Sequence, residues 1–285
     1  MSECTAPADK GPSIVDWDPT VLVRGVGSRT QPQEQDQKTG FALIVLNQPL
    51  HNHGVIRQLW NNASIRIAAD GGANPLYMAA GRHGDSSFVS LEKDTFGPQT
   101  SQPMPAHTTR SPSSGCRETK VIQDPDQNST DFGKAVQYAR QSHHREATAT
   151  PLDIVAIGGL GGRVDQGLSQ LHHLYLFQKD PHYADGRMYL FSGESLTFLL
   201  KAGRHRIRVR RGPAGEDDVF GKYVGILPIK EPSRITTKGL EWDITDWETE
   251  FGGQLSTSNH VLPETQVVEV MTTKDVLFTI ALRQA

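Results

Sequence analysis

The sequence predicts an α/β chain in two parts: an N-terminal parallel-sheet α/β domain over residues 41–193 and a C-terminal all-β sandwich over 194–285, behind a flexible segment, 1–40. Three observations carry this expectation. Short, wholly apolar runs in the first part end at glycine or polar residues, as strands buried on both faces of a parallel sheet do. Segments with helical spacing lie between those runs. After about Ser195 the apolar spacing changes to every second residue, and no long helical pattern returns.

Taken in order, residues 28–40 (SRTQPQEQDQKTG) hold no aliphatic side chain and read as surface chain. Residues 1–20 carry no readable function and are expected to be mobile, while Val21-Leu22-Val23 offers a short strand. Ala42–Leu46 is an apolar run ending at Asn47, and Ile65–Ala69 ends at Asp70-Gly71-Gly72. Ile154–Ile157 ends at Gly158-Gly159, and Met188–Phe191 at Ser192-Gly193. Phe132, Val136 and Ala139 fall on one helix face behind a capping Ser129 or Thr130. Val164, Leu168, Leu171 and Tyr175, spaced 4, 3 and 4, share another helix face. This alternation of strand and helix is the rhythm of a layered α/β architecture.

In the last third, Arg204, Arg206, Arg208 and Arg210 alternate with His205, Ile207 and Val209, a strand with one exposed polar face. Val224–Ile229, Arg234–Thr237, Val267–Met271 and Val276–Leu282 follow as further strands. Residues 98–114 stand apart: eleven of these 17 are Ser, Thr or Pro, too few apolar groups to bury a face. The atypical stretch 81–117 is therefore expected to be disordered, although long structureless loops are uncommon inside such a domain.

Composition narrows the function. With 29 basic and 32 acidic residues the net charge is −3, which lacks the basic excess of a nucleic-acid binder. No run approaches the ~18 apolar residues that cross a bilayer, so no membrane partner is expected. Cys4 and Cys116 are the only cysteines, which excludes a disulfide framework or a zinc knuckle. Sparse cysteine and a polar first 30 residues point to a cytoplasmic setting.

In open parallel sheets ligands bind beyond the carboxyl ends of the strands, so the residues after each run are the candidates. Four glycines within five residues, Gly158-Gly159-Leu160-Gly161-Gly162, let backbone approach a ligand closely. A helix follows at once, so its unpaired N–H groups can face an anion. Arg163 adds a forked cation for phosphate oxygens and Asp165 a carboxylate suited to Mg²⁺. The structural alternative is a tight turn with a capping Asp; neither GxxxxGK[ST] nor GxGxxG is present. A second constellation, Asp124-Pro125-Asp126-Gln127-Asn128-Ser129-Thr130-Asp131 with Lys134, crowds three carboxylates at a helix start. It fits either a cation site or an acidic N-terminus favoured by the helix dipole. A third, Gly239-Leu240-Glu241-Trp242 with Ser256-Thr257-Ser258-Asn259-His260, sets an aromatic ring near hydroxyls and an amide, fit for a flat heterocycle or simply a core Trp and a polar turn. The neighbouring pairs His143-His144 and His172-His173 point in different directions on their helices and make poor metal sites.

Together these segments resemble the thiamine pyrophosphokinase family, fungal members in particular. The resemblance rests on ADGGANPLY (69–77), DPDQNSTDFGKA (124–135) and GGLGGRVDQGLSQLHHLY (158–175), then FGKYVGILPI (220–229), TTKGLEWDI (236–244) and GGQLSTSNHV (252–261). It implies transfer of a diphosphoryl group from ATP to the hydroxyl of thiamine, with Mg²⁺ as cofactor and a homodimer whose thiamine site joins two subunits. By that resemblance Asp70, Gly71, Gly72, Asn74, Thr130, Lys134, Gly161, Gly162 and Arg163 serve ATP and its phosphates. Asp131 and Asp165 are catalytic and, with Asp126, hold the metal. Gln127, Trp242, Ser256, Ser258 and Asn259 face thiamine.

Two departures qualify it. The family's GDxDS acidic motif has no counterpart beyond Gly84-Asp85-Ser86-Ser87, and Asn128 stands where an Asp is usual. Fewer carboxylates mean weaker Mg²⁺ binding. The alternative is therefore a catalytically impaired relative that binds thiamine or nucleotide and lacks part of the metal site.

Overall fold

The computed structural model describes residues 14–24, 40–69, 89–92, 120–124, 126, 128–145, 150–212, 215 and 218–283. In chain order the first elements are β1 (Ile14–Trp17), a 3-10 turn (Pro19–Val23), β2 (Phe41–Val45), α1 (His53–Asn62), β3 (Ile65–Ala69), β4 (Val89–Glu92) and β5 (Lys120–Gln123). Next come α2 (Asp131–Arg145), β6 (Asp153–Ile157), α3 (Val164–Phe177) and β7 (Met188–Phe191). Eight strands complete the chain: β8 (Ser195–Leu200), β9 (Gly203–Arg208), β10 (Phe220–Leu227), β11 (Ser233–Lys238), β12 (Trp247–Thr249), β13 (Ser256–His260), β14 (Val267–Thr272) and β15 (Val276–Leu282). Two compact units result. One takes the described residues of Gly25–Lys179 and Tyr183–Glu194, the other those of Met1–Arg24, Asp180–His182 and Ser195–Ala285.

The first unit is built on parallel strands in the order β7-β6-β2-β3-β4-β5. All five residues of β2, FALIV, are buried, which is why the sequence shows a continuous apolar run instead of alternation. Helix α2 seats Phe132, Ala135, Val136 and Ala139 in the core, the face its spacing predicts. Helix α1 starts at Asn52, whose left-handed backbone lets its side chain accept the Val55 N–H, and it buries Ile56 and Leu59.

Helix α3 forms where expected but turns a different face inward. Gln170, His173 and Leu174 are buried, while Val164 is 77% and Leu168 56% exposed. The first half of the apolar stripe is thus exposed and Leu171 and Tyr175 are half-buried, while His173 packs inward against Thr130 and the Ser169 carbonyl. Strand β4 corrects a second expectation. Residues 89–92 lie inside the stretch read as disordered, yet they pair in parallel with both β3 and β5. The apolar Val89 and Leu91 in FVSLE were the overlooked strand signal. Residues 98–114 lie outside the described residues.

The second unit is a β-sandwich. One sheet runs β1-β9-β14-β11-β12, and facing it the order is β13-β10-β15-β8. Trp17 of β1 and Phe198 of β8 lie 4.6 Å apart between the layers, with Phe278 of β15 a further 5.3 Å on. Part of the N-terminal segment expected to be flexible is therefore core. Strand β1 pairs in parallel with β9, Trp17 is 1% exposed, and its indole N–H donates to His205 Nδ1 at 3.0 Å. Val21–Val23 is a 3-10 turn, not a strand, and it buries Leu22 and Val23. The exposed arginine face also ends sooner than its alternation suggests. Arg210 is buried, its Nη1 donates to the carbonyls of Leu262 and Pro263, and Asp218 supplies the counter-charge at 2.9 Å.

Trp17→Ala should cost about 3–5 kcal/mol, the range for emptying a buried aromatic site. Urea unfolding followed by fluorescence of the remaining tryptophans and by far-UV dichroism checks this; a midpoint equal to that of the parent chain would show that β1 contributes nothing to the sandwich.

Candidate functional site

Strand order decides where the α/β unit can bind. From β2 the chain moves outward through β3, β4 and β5, then returns so that β6 pairs with the other edge of β2. The loops leaving β2 and β6 therefore run in opposite directions at the carboxyl ends, the arrangement at which open parallel sheets commonly take ligands. The glycine-rich loop 158–162 lies there. Gly158 has φ 72°, and a Cβ on it would stand 2.7 Å from the Leu46 carbonyl oxygen, so only glycine fits. Gly161 and Gly162 also have positive φ, and a Cβ on Gly162 would meet Gln48 Oε1 at 2.7 Å. Gln48, in the connection that follows β2, was not singled out in the sequence; its signal was its place directly after Asn47.

Helix α3 leaves this loop with no side chain capping its N-terminus. Arg163 and Asp165 face each other instead: Nε donates to Oδ1 at 3.0 Å and Nη2 to Oδ2 at 2.5 Å. The mutual hydrogen bonds raise the Arg163 pKa and lower that of Asp165. Both side chains are more than half exposed, so the pair is weak and exchangeable.

The start of α2 is the second edge. Asp131 is its first residue and is partly buried. Before it, the Gly133 N–H donates to Thr130 Oγ1 at 3.0 Å, which caps the helix. Asp126 accepts the Asn128 N–H at 2.9 Å and the Ser129 hydroxyl, and the Ser129 bond is the first cause of its lowered pKa. Lys134 departs from its expected role as a free phosphate contact. It is 6% exposed and donates to the Asp124 carbonyl at 2.9 Å, so it ties the β5–α2 connection together.

His173 of α3 reaches this same helix start. Its Nε2 is 2.7 Å from Thr130 Oγ1 and its Nδ1 2.5 Å from the Ser169 carbonyl, between the rings of Phe132 and Phe177. Burial, which disfavours the charged ring, lowers its pKa, and His172 adds a repulsion.

On the sandwich, Trp242 is 55% exposed at the end of the Gly239–Trp242 turn. Asn259 of β13 holds that turn: its Oδ1 accepts the Trp242 N–H at 3.2 Å and its Nδ2 donates to the Trp242 carbonyl at 2.9 Å. At 5% exposure Asn259 has both ends committed, so it orients Trp242 and is not a free contact for a ligand. The His260 ring packs 4.9 Å from Trp242 and 5.1 Å from Tyr223, and its Nδ1 lies 2.5 Å from Glu241 Oε2. Ser256 and Ser258 belong to the same strand, Ser258 exposed and in a left-handed conformation.

Asp70, Gly71, Gly72, Asn74 and Gln127 lie outside the described residues. Among the described residues no three His, Cys, Asp or Glu side chains converge as a metal cage, so Asp126, Asp131 and Asp165 are not gathered into one. Asp126, Asp131 and Asp165 offer carboxylate oxygens at these edges. A hard cation that keeps its waters and arrives on a phosphate chain needs only one or two of them, so the donor set suits Mg²⁺. One acidic position escaped the sequence reading. Glu92 is the last residue of β4, and Asp94 lies outside the described residues. No helix among the described residues is long and apolar enough to cross a membrane.

Comparison with known proteins agrees with this layout. The family model described as thiamin pyrophosphokinase, catalytic domain, matches residues 56–183, and the one described as thiamin pyrophosphokinase, vitamin B1 binding domain, matches 204–277. Thiamine pyrophosphokinase 1 of Arabidopsis thaliana is 34% identical over 256 residues, 88% of this chain and 90% of the relative. Thiamine pyrophosphokinase 2 of the same plant is 33% identical over 258 residues, 89% and 90% of the two chains. The fold matches that of the solved thiamin pyrophosphokinase from Candida albicans with a TM-score of 0.73, covering 99% and 96% of the chains at 22% identity.

The lowered pKa of His173 sets a sign for stability. The unfolded chain takes up a proton near the ordinary histidine value of about 6.5 before the folded one does, so stability falls as pH drops through that value. His173→Gln should remove part of this fall. Urea midpoints at pH 7.5 and pH 5.5 for both proteins check it; an equal fall in the variant would remove His173 as its source.

Proposed function

The chain belongs to the thiamin pyrophosphokinase family and is an enzyme of that type; from that premise we propose that it transfers a diphosphoryl group from ATP to the hydroxyl of thiamine, releasing AMP. The observation that carries the proposal is the coincidence of the two family models with two separately built features. The catalytic model spans the glycine loop and the α2 start, and the vitamin-binding model spans the presented Trp242.

In this reading the triphosphate lies along the carboxyl ends of β2 and β6. Backbone N–H groups at the uncapped start of α3 meet its oxygens, with Gly161 and Gly162 permitting close approach. The Arg163–Asp165 pair then opens, the guanidinium turning to phosphate and the carboxylate to the cation that accompanies it. Mg²⁺, when bound, spreads the negative charge of the phosphates. Asp131 and Asp165 would hold it, with Asp126 as the further carboxylate of that set. Asp70, Gly71, Gly72 and Asn74, following β3, belong to the same nucleotide edge.

Trp242 stacks on thiamine, whose aromatic rings and thiazolium cation both suit an indole face. Ser256 and Ser258 offer hydroxyls beside it, and Gln127 of a second subunit completes the site in a homodimer. The reaction needs the thiamine hydroxyl held in line with the β-phosphorus, so positioning supplies much of the acceleration.

The test is AMP formation from ATP, Mg²⁺ and thiamine. Trp242→Ala should raise the KM for thiamine about tenfold with a smaller change in the KM for ATP. Asp131→Asn should lower kcat/KM by about 10²-fold or more. Thiamine binding without AMP from the unaltered chain would return the binding-only relative; phosphorylation of another alcohol without thiamine binding would point to a different kinase.

A further inference from the structure

The hydrogen bonds around His173 fix the direction of a proton. The Ser169 carbonyl can only accept, so Nδ1 carries a hydrogen toward it at 2.5 Å. In the neutral ring favoured by burial, Nε2 is then a bare acceptor, and the Thr130 hydroxyl 2.7 Å away donates to it. Thr130 Oγ1 in turn accepts the Gly133 N–H. Its proton and one lone pair are both spent inside the protein. What it has left for a ligand is a single lone pair, on the residue directly before Asp131.

We infer that His173 is a positioning residue which commits the Thr130 hydroxyl proton inward, so that Thr130 presents an acceptor-only oxygen beside Asp131 and serves a cation or a donor, never a phosphate oxygen. This deepens the reading of the α2 start as part of the Mg-nucleotide edge and rests on it. It also revises Thr130's expected role as a phosphate contact, because a hydroxyl whose proton is taken would repel an anionic oxygen.

The geometry supports a placed ring and not a merely packed one. His173 is 3% exposed and sits 4.9 Å from Phe132, one residue beyond Asp131, and 5.8 Å from Phe177 of its own helix. It links α3 to the first turn of α2, the turn that carries the carboxylate. A leucine or phenylalanine at this position would fill the space and leave the hydroxyl free to rotate outward.

The first test needs no activity. Nitrogen-15 NMR of the histidine rings in the unliganded chain at pH 7.5, with His173 assigned by comparison with His173→Gln, should show a neutral ring protonated at Nδ1. A ring protonated at Nε2, or at both nitrogens, overturns the inference. The second test is a cycle of Thr130→Val, His173→Phe and the double variant, with calorimetric binding of Mg-ATP and kinetics as readouts. Each single variant should weaken Mg-ATP binding about tenfold while the thiamine KM stays within about twofold, and the double variant should be no worse than either. His173→Gln, which restores an acceptor at similar reach, should recover at least half of the loss seen with phenylalanine. Multiplying losses in the double variant, or a glutamine variant no better than phenylalanine, refutes the coupling. Should the unaltered chain bind Mg-ATP yet make no AMP, the proposed reaction fails while this cycle still stands on binding; should it bind no Mg-ATP, the nucleotide edge fails and the inference with it, whatever the ring's tautomer.

Discussion

Burial of the parallel strands on both faces is the constraint from which the rest follows. Strands β2 and β6 can carry almost no polar side chains along their length, as the unbroken burial of FALIV shows. Chemistry is therefore pushed to the strand ends. There β6 returns to the free edge of β2, and glycine is required because the Leu46 carbonyl leaves no room for a Cβ on Gly158 and because Gly158, Gly161 and Gly162 all hold positive φ. The path of the chain thus sets the proposed binding edge before any side chain is considered.

At this edge, charge is held in exchangeable form. Arg163 and Asp165 neutralise each other across an exposed contact, which costs little to break. Lys134, by contrast, is buried on the Asp124 carbonyl and is structural. The two cations are alike in sequence terms, and exposure separates their roles. On the sandwich the same division holds between Trp242, presented to solvent, and Asn259, buried and spent on holding it.

Much of this was legible in the residues. Apolar runs located β2, β3, β6, β7 and β15 almost to the residue, because strands buried on both faces leave an unbroken apolar signature. The glycine loop and the Trp242 turn were visible as candidate sites for a similar reason: local backbone needs select local residue types. Other elements were hidden. Strand β4 is four residues long inside a Ser-, Thr- and Pro-rich stretch, so its pairing partners, not its own pattern, define it. Strand β1 and Trp17 sat in a polar terminus, and the reason for their burial, β9 and Phe198, lies some 190 residues away as the Trp17–His205 separation of 188 illustrates.

By itself, then, the sequence determined the two-part architecture and the family resemblance, since these follow from periodicity and from short motifs read within one element. Only the tertiary structure decided which face of α3 packs inward, which cation is exposed, and that His173 addresses Thr130 forty-three residues earlier. Those outcomes depend on partners supplied by distant elements. A polar group becomes buried, exposed or orienting according to the donor or acceptor that the fold sets against it, and no local pattern records that partner.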